Sequence, residues 1–277
     1  MGKTYHFIFI MLACTLACGR ADNSPAQPPP GPQTRSGNLH PAFSLDREDL
    51  AALTAELPPP MREAILENPR DFLDLMSRLM REPEGLLVLV DKSHPLPEGW
   101  EPQDLKKLSD YPLLRLSRQN LLLRAIVLPD LLDMAREAQK DGITLLVSST
   151  YRSAAYQKTV YERNVREMGQ QTADRESAWP RHSQHQLGTV IDFGSINDDF
   201  TGTPMQRWLD ANAWKYGFSL SFPEGREELT GYRYESWHFR YIGRSAAEMA
   251  RRFFGDIQQI MLEYLHLHIQ KFAAAEI

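Results

Sequence analysis

The sequence predicts a mixed fold in which helices at both ends enclose a set of short strands. Two observations predict it. Apolar residues recur at helical spacing over residues 45–84 and again over 245–271. Between them lie short apolar or alternating runs at 86–90, 143–147, 189–193, 218–222 and 232–241, with the length and the β-branched or aromatic content of strands. A third observation concerns chemistry: the histidines and acids that attract attention, at 183–192 and 235–238, lie on or beside those strands.

The first eighteen residues read as an address. Lys3 supplies a weak basic start, and Tyr5 opens a nearly uncharged apolar run to Ala17. That run is short of the ~20 residues a spanning helix needs, but fits the core of a signal peptide. Thr15-Leu-Ala-Cys18 then resembles a bacterial lipobox, so residues 1–18 are expected to export the chain and to leave Cys18 lipid-modified; Met11-Leu-Ala-Cys14 is an earlier candidate. Residues 19–44 follow as a Pro-rich linker with too little apolar content to pack. At about 3.1 Å per residue it could reach on the order of 75 Å as a tether.

Residues 45–85 form a helical lead-in. Ser44 is placed to cap a helix over 45–57, with Asp46, Glu48 and Asp49 in the first turn, where the helix dipole favours acids. Pro58-Pro-Pro60 should stop it, 61–67 forms a second helix, and Pro69 starts a third over 70–80. Phe72, Leu75, Met76, Leu79 and Met80 make that third helix a packing surface for the body that follows.

In the body, 86–90 reads as a buried strand. Residues 121–140 carry helical spacing, although Pro129 must begin, kink or break that helix, and Gly142 ends it. The strand at 143–147 delivers Tyr151-Arg152-Ser153 to a loop before a helix over 156–168. A guanidinium there can hold a planar carboxylate or a developing oxyanion through two parallel bonds, though a lone arginine is more often half of an ion pair. Gly188 permits a tight turn after His185, and β-branched residues put Asp192 on a strand. A helix over 205–216 ends at Gly217. On the last strand Trp237, Phe239 and Tyr241 share one face, and His238 and Arg240 the other. Glu235 has the wrong parity to join His238, so the chain must turn or bulge near Ser236 for both to face one site.

Composition limits the alternatives. The chain has 277 residues, 42% apolar and 24% charged, with a formal net charge of -5, so it carries no global basic footprint for nucleic acid. Its only cysteines are Cys14 and Cys18, leaving the body without a thiolate ligand. His185, Asp192 and His238 remain as a candidate metal triad. Two imidazoles and a carboxylate suit zinc, and three protein ligands leave a position open for water.

These residues carry a resemblance. Ser183, His185, Gly188 and Asp192, then Glu235, Trp237 and His238, look like the signature of VanY-type zinc D-alanyl-D-alanine carboxypeptidases and their L,D-carboxypeptidase relatives. Tyr151-Arg152-Ser153 with Gln157 matches upstream, and the likeness runs from about Leu86 to Gly243. The resemblance implies an α+β catalytic domain over 86–243, a small antiparallel sheet carrying the zinc site with helices around it, as in Hedgehog and DD-peptidase folds. It implies one Zn2+ held by His185, Asp192 and His238. It makes Glu235 the general base and Arg152 the residue that binds and stabilises substrate, helped by Gln157 and Ser183. The expected substrate is a peptidoglycan stem peptide losing its terminal D-alanine. A zinc endopeptidase and a non-catalytic wall-binding module stay open on the same residues. Gln184 departs from the pattern, standing where an acid is common, as do Thr189-Val-Ile before Asp192 and Ser236 in place of a frequent proline.

Past Gly243, residues 244–277 read as one C-terminal helix packed on the domain. His266 and His268 are two apart, do not share a helix face and are not proposed as ligands. The chain is expected to act as a monomer, touching the membrane only through its lipid anchor.

Overall fold

The structure is a computed structural model and describes residues 37–83 and 85–277. The expected signal peptide, both cysteines and most of the Pro-rich linker lie outside the described residues. The last part of that linker packs: Phe43 is fully buried and bridges to Glu276, and Ser44 N donates to the Ala275 carbonyl.

Helix α1 (Arg47–Leu53) is capped by Asp46, two residues later than a Ser44 cap would place it. The Asp46 carboxylate accepts from the Glu48 and Asp49 amides, and Asp49 returns a bond to the Asp46 amide, so a reciprocal capping box decides the boundary. Helix α2 (Pro59–Glu67) opens on the proline run, whose missing N–H groups cost nothing in a first turn. Helix α3 (Pro69–Leu79) follows as expected.

Residues 86–90 are not a strand, contrary to their apolar pattern. Their carbonyls find a side chain instead of a ladder: Arg240 Nη2 donates to Leu86 O at 3.0 Å and to Val88 O at 2.7 Å. Next come β1 (Leu105–Lys107), β2 (Arg115–Leu116) and β3 (Leu122–Arg124), none of them expected; β1 and β3 pair antiparallel as a separate ribbon. Pro129 sits in the first turn of α4 (Leu128–Lys140), so it begins that helix and leaves 121–127 outside it.

The remaining body alternates: β4 (Leu146–Ser149), α5 (Ala154–Met168), α6 (Gln170–Glu176), β5 (Val190–Phe193), α7 (Pro204–Asn212), β6 (Phe218–Leu220), α8 (Glu227–Thr230) and β7 (His238–Tyr241). The main sheet has the order β2-β4-β5-β7-β6. Its pairs are antiparallel except β2 with β4, which run parallel, so the sheet is mixed at that edge. One face packs Val147, Ile191, Phe193, Phe218, Phe239 and Tyr241 against Leu131 and Met134 of α4. The opposite face carries the candidate ligands.

The C-terminal segment is two helices, α9 (Arg244–Phe253) and α10 (Gln258–Ala274). Gly255 at φ 62° and Asp256 at φ 63° lie in the left-handed region, which ends an α-helix and turns the chain. α9, α10 and the lead-in helices share a second apolar cluster, with Phe72, Met76, Phe253, Phe254, Tyr264 and Phe272 at its centre and Leu89 and Ile242 joining it from the body. Among the described residues no helix is long and apolar enough to cross a membrane.

Candidate metal centre

The candidate triad is assembled by strand register. Asp192 on β5 and His238 on β7 are direct cross-strand partners, so their side chains leave the same face. His185 arrives from a 3-10 turn, Gln184–Leu187, that precedes β5. Ser183 caps that turn, its Oγ accepting from His185 N at 3.3 Å. Gly188 closes it at φ 70°, in the left-handed region, where a Cβ would also meet Arg124 Cγ at 3.0 Å. One ligand atom from each of His185, Asp192 and His238 lies within 4.8 Å of the others, and all three residues are buried.

His185 Nδ1 stands 2.7 Å from the Thr150 carbonyl, which can only accept, so Nδ1 carries the proton. Nε2 is left with a lone pair, 3.1 Å from Asp192 Oδ2. Burial holds the His185 pKa below the ordinary value and keeps the ring neutral, with Asp192 opposing. For His238, burial also resists charge, but the adjacent Asp192 and Glu235 carboxylates outweigh it and push the ring up to about 9. Burial alone would raise Asp192; the two histidines hold it well below the usual carboxylate range.

These side chains fit a cation. Asp192 Oδ1 is 3.1 Å from His238 Nδ1, yet has no hydrogen bond of acceptable direction, and it is buried. Atoms that close, sealed from water and not aimed along a donor–acceptor line, are what lone pairs converging on a shared ion produce. Two nitrogens and a carboxylate oxygen match a borderline divalent metal such as zinc.

Glu235 lies beside the triad, with Oε2 3.4 Å from His238 Nδ1. The sequence required a turn at Ser236, and the chain turns at Ser236 and Trp237 before β7 begins. The Glu235 carbonyl accepts from His238 N at 3.1 Å, and its amide donates to Phe222 O at 3.1 Å. Burial pushes the Glu235 carboxyl above the ordinary glutamate value, and His238 pulls it part way back.

Arg152 enters from the loop after β4. Its Nη1 donates to Gln157 Oε1 at 2.9 Å and its Nη2 to Ser149 Oγ at 3.3 Å, both neutral acceptors. Burial lowers its pKa, and Asp192, Tyr156 and Glu235 partly offset that. Gln157 is itself held, with Nε2 donating to Ala178 O at 2.6 Å, so its amide steers Arg152 before it meets anything else. Arg152, Gln157, Ser183, Glu235 and the triad all line one cleft of about 440 Å³.

Sequence reading missed several residues around this cleft. Thr150 acts through its backbone carbonyl, which leaves no side-chain signature. Phe222 packs at a tilt against the His238 ring, centroids 4.7 Å apart, and Tyr232 packs in the same way on Phe222 at 4.7 Å. Arg118 and Arg163 add cationic side chains to the lining; their loop and helix positions gave no signal of a shared cleft.

The family described as VanY, D-alanyl-D-alanine carboxypeptidase, matches residues 120–244. A "Putative carboxypeptidase YodJ" of Bacillus subtilis (strain 168) is 33% identical over 61% of this chain. A "D-alanyl-D-alanine carboxypeptidase" of Enterococcus faecalis (strain ATCC 700802 / V583) is 31% identical over 66%. The chain spans 64% of the length of the first and 68% of the second. Among solved structures, the LdcB LD-carboxypeptidase superposes with a TM-score of 0.59 at 32% identity, covering 67% of this chain and 88% of that one. A mutant of the vancomycin resistance D,D-pentapeptidase VanY from a VanB-type cassette, in complex with Zn(II), superposes with a TM-score of 0.55 at 29% identity, covering 66% and 99%.

Proposed function

The chain belongs to the VanY family of D-alanyl-D-alanine carboxypeptidases, and on that premise we propose that it is a zinc carboxypeptidase trimming the terminal D-alanine from peptidoglycan stem peptides. The observation that carries this reading is the convergence of His185, Asp192 and His238 in the cleft that also holds Glu235 and Arg152. His185 Nε2, an Asp192 oxygen and His238 Nδ1 would hold one Zn2+. When bound, zinc supplies a Lewis acid that lowers the pKa of water from 15.7 toward about 7 and polarises a carbonyl.

The chain's own residues do the rest. Glu235 takes a proton on its carboxylate from the attacking water and returns it to the leaving amine nitrogen. Its partly buried position, beside His238 but facing the cleft, suits both transfers. Arg152 is held by two neutral acceptors, so its charge is available to the substrate carboxylate or to the oxyanion that forms next to it. Gln157 and Ser183 support this from one remove, Gln157 by orienting Arg152 and Ser183 by capping the His185 turn. Export through residues 1–18 and a lipid anchor at Cys18 would bring the cleft to the cell wall.

Mass spectrometry of defined peptides tests the reading. The full chain is incubated with a pentapeptide ending D-Ala-D-Ala and with a tetrapeptide ending in an L-centre followed by D-Ala, with and without a zinc chelator. Chelator-sensitive loss of one terminal D-alanine is expected, and the peptide that shortens names the D,D or L,D preference. Internal cleavage would replace the carboxypeptidase with an endopeptidase. Glu235→Gln should retain bound zinc and lose about 100- to 10,000-fold in kcat; undiminished turnover would remove Glu235 from the mechanism.

A further inference from the structure

We propose that Gln258, at the start of α10, is a positioning residue for the metal centre, acting through Ser221 on both histidine ligands. α10 lies beyond the family match, which ends at residue 244, and nothing in its apolar pattern suggests a part in the site. Yet its first residue reaches Gln184, beside His185, through two hydrogen bonds.

The Gln258 amide nitrogen donates to the Ser219 carbonyl at 3.1 Å and to Ser221 Oγ at 2.9 Å. A carbonyl only accepts, so the nitrogen end of the amide is fixed there. Ser221 Oγ thus accepts one bond and has one proton to give. It gives it to Gln184 Oε1 at 2.7 Å. Gln258, Ser221 and Gln184 are 1%, 2% and 5% exposed, so water does not substitute for a missing member.

Both ends of the relay matter to the ligands. Gln184 is the first residue of the turn that carries His185. The Ser221 amide donates to the His238 carbonyl at 3.1 Å. The next residue, Phe222, packs its ring on His238 and accepts the Glu235 amide at its carbonyl. One short segment therefore touches His238, Glu235 and the residue before His185, and Gln258 sets its side-chain orientation.

The activity arm of the test rests on the carboxypeptidase reading; the metal arm does not. Full-length Gln258→Met and Ser221→Ala, with their double variant, are measured for Zn2+ affinity by chelator competition, for kcat and KM on the D-Ala-terminated peptide, and for Tm. Supporting groups of this kind typically alter metal affinity 10- to 100-fold. A loss of about 10-fold in Zn2+ affinity is expected in each single variant, with kcat reduced, KM unchanged and the double variant no worse than the poorer single. Unchanged affinity and kcat in both single variants overturn the proposal, even if Tm falls, because the relay would then be packing alone. Additive losses overturn the link through Ser221. Should Gln258→Met fail to fold, Ser221→Ala decides. If the parent binds Zn2+ but trims no peptide, the carboxypeptidase reading fails while the affinity comparison still decides the relay.

Discussion

Arg240 shows how one residue can take the place of a strand. It is fully buried on β7, two residues past His238, and no acid pairs with it among the described residues. Its Nη2 instead satisfies the carbonyls of Leu86 and Val88. Burial pushes its pKa down to about 9, which leaves it charged at neutral pH. Removing the side chain would relieve a buried charge but orphan the buried Leu86 carbonyl and the partly buried Val88 carbonyl, at about 1–3 kcal/mol for a fully buried group. Arg240 Nε and Nη1 are themselves buried without a hydrogen-bond partner, but the carbonyl loss should still win, because the flat, delocalised and weakly hydrated charge makes guanidinium the least costly cation to bury. Arg240→Met is expected to destabilise by about 2 kcal/mol, a fall of about 4–8 °C in Tm for a body of this size. An equal or higher Tm in a thermal melt would mean the charge costs more than its contacts return.

At the scale of elements, α10 is tied to the cleft by adjacent glutamines. Gln258 holds Ser221, and Gln259 donates to Asp91 Oδ2 at 2.9 Å. Asp91 Oδ1 accepts the Ser93 and His94 amides and faces the His94 ring, while the Asp91 carbonyl meets His182 Nδ1 at 2.8 Å. Burial would raise the Asp91 pKa, but these bonds outweigh it and hold the carboxyl below its ordinary value. A depressed folded pKa contributes stability above the unfolded value of about 3.9, and that contribution is lost as pH falls through the folded value. Asp91→Asn should therefore be less stable than the parent at neutral pH, with the gap closing on acidification below roughly pH 4. Denaturant midpoints measured across that range check this; a gap that stays constant would show that the carboxylate charge contributes nothing.

Across the whole molecule, the lead-in and the two C-terminal helices complete each other. Neither has an apolar partner of its own, and their shared cluster includes Leu89 and Ile242 from the body. A chain ending at Gly243, near the boundary of the family match, would expose Phe72, Leu73 and Met76, and would lose Gln258 and Gln259 as well. It is expected to yield no cooperative unfolding transition by circular dichroism and to bind Zn2+ weakly. A cooperative melt close to that of the full chain would show the body to be self-sufficient and the helical layer dispensable.

Local chemistry made much of this legible in the sequence. Residue types and spacing pointed to His185, Asp192 and His238, strand parity demanded the turn at Ser236, and apolar periodicity marked α3 and α4. Each depends on neighbours a few residues away, where the 2.0 and 3.6 periods operate. Tertiary structure alone decided the rest. Residues 86–90 look like a strand but take their partner from Arg240, more than 150 positions away. The apolar stripe of 245–271 runs through Gly255 without showing that the chain turns there. The Gln258–Ser221–Gln184 relay joins residues 37 positions apart at each step, and polar side chains of that kind look like ordinary surface until the fold buries them. A period reports which face a residue shares with its neighbours; which distant donor that face will meet is settled only when the elements pack.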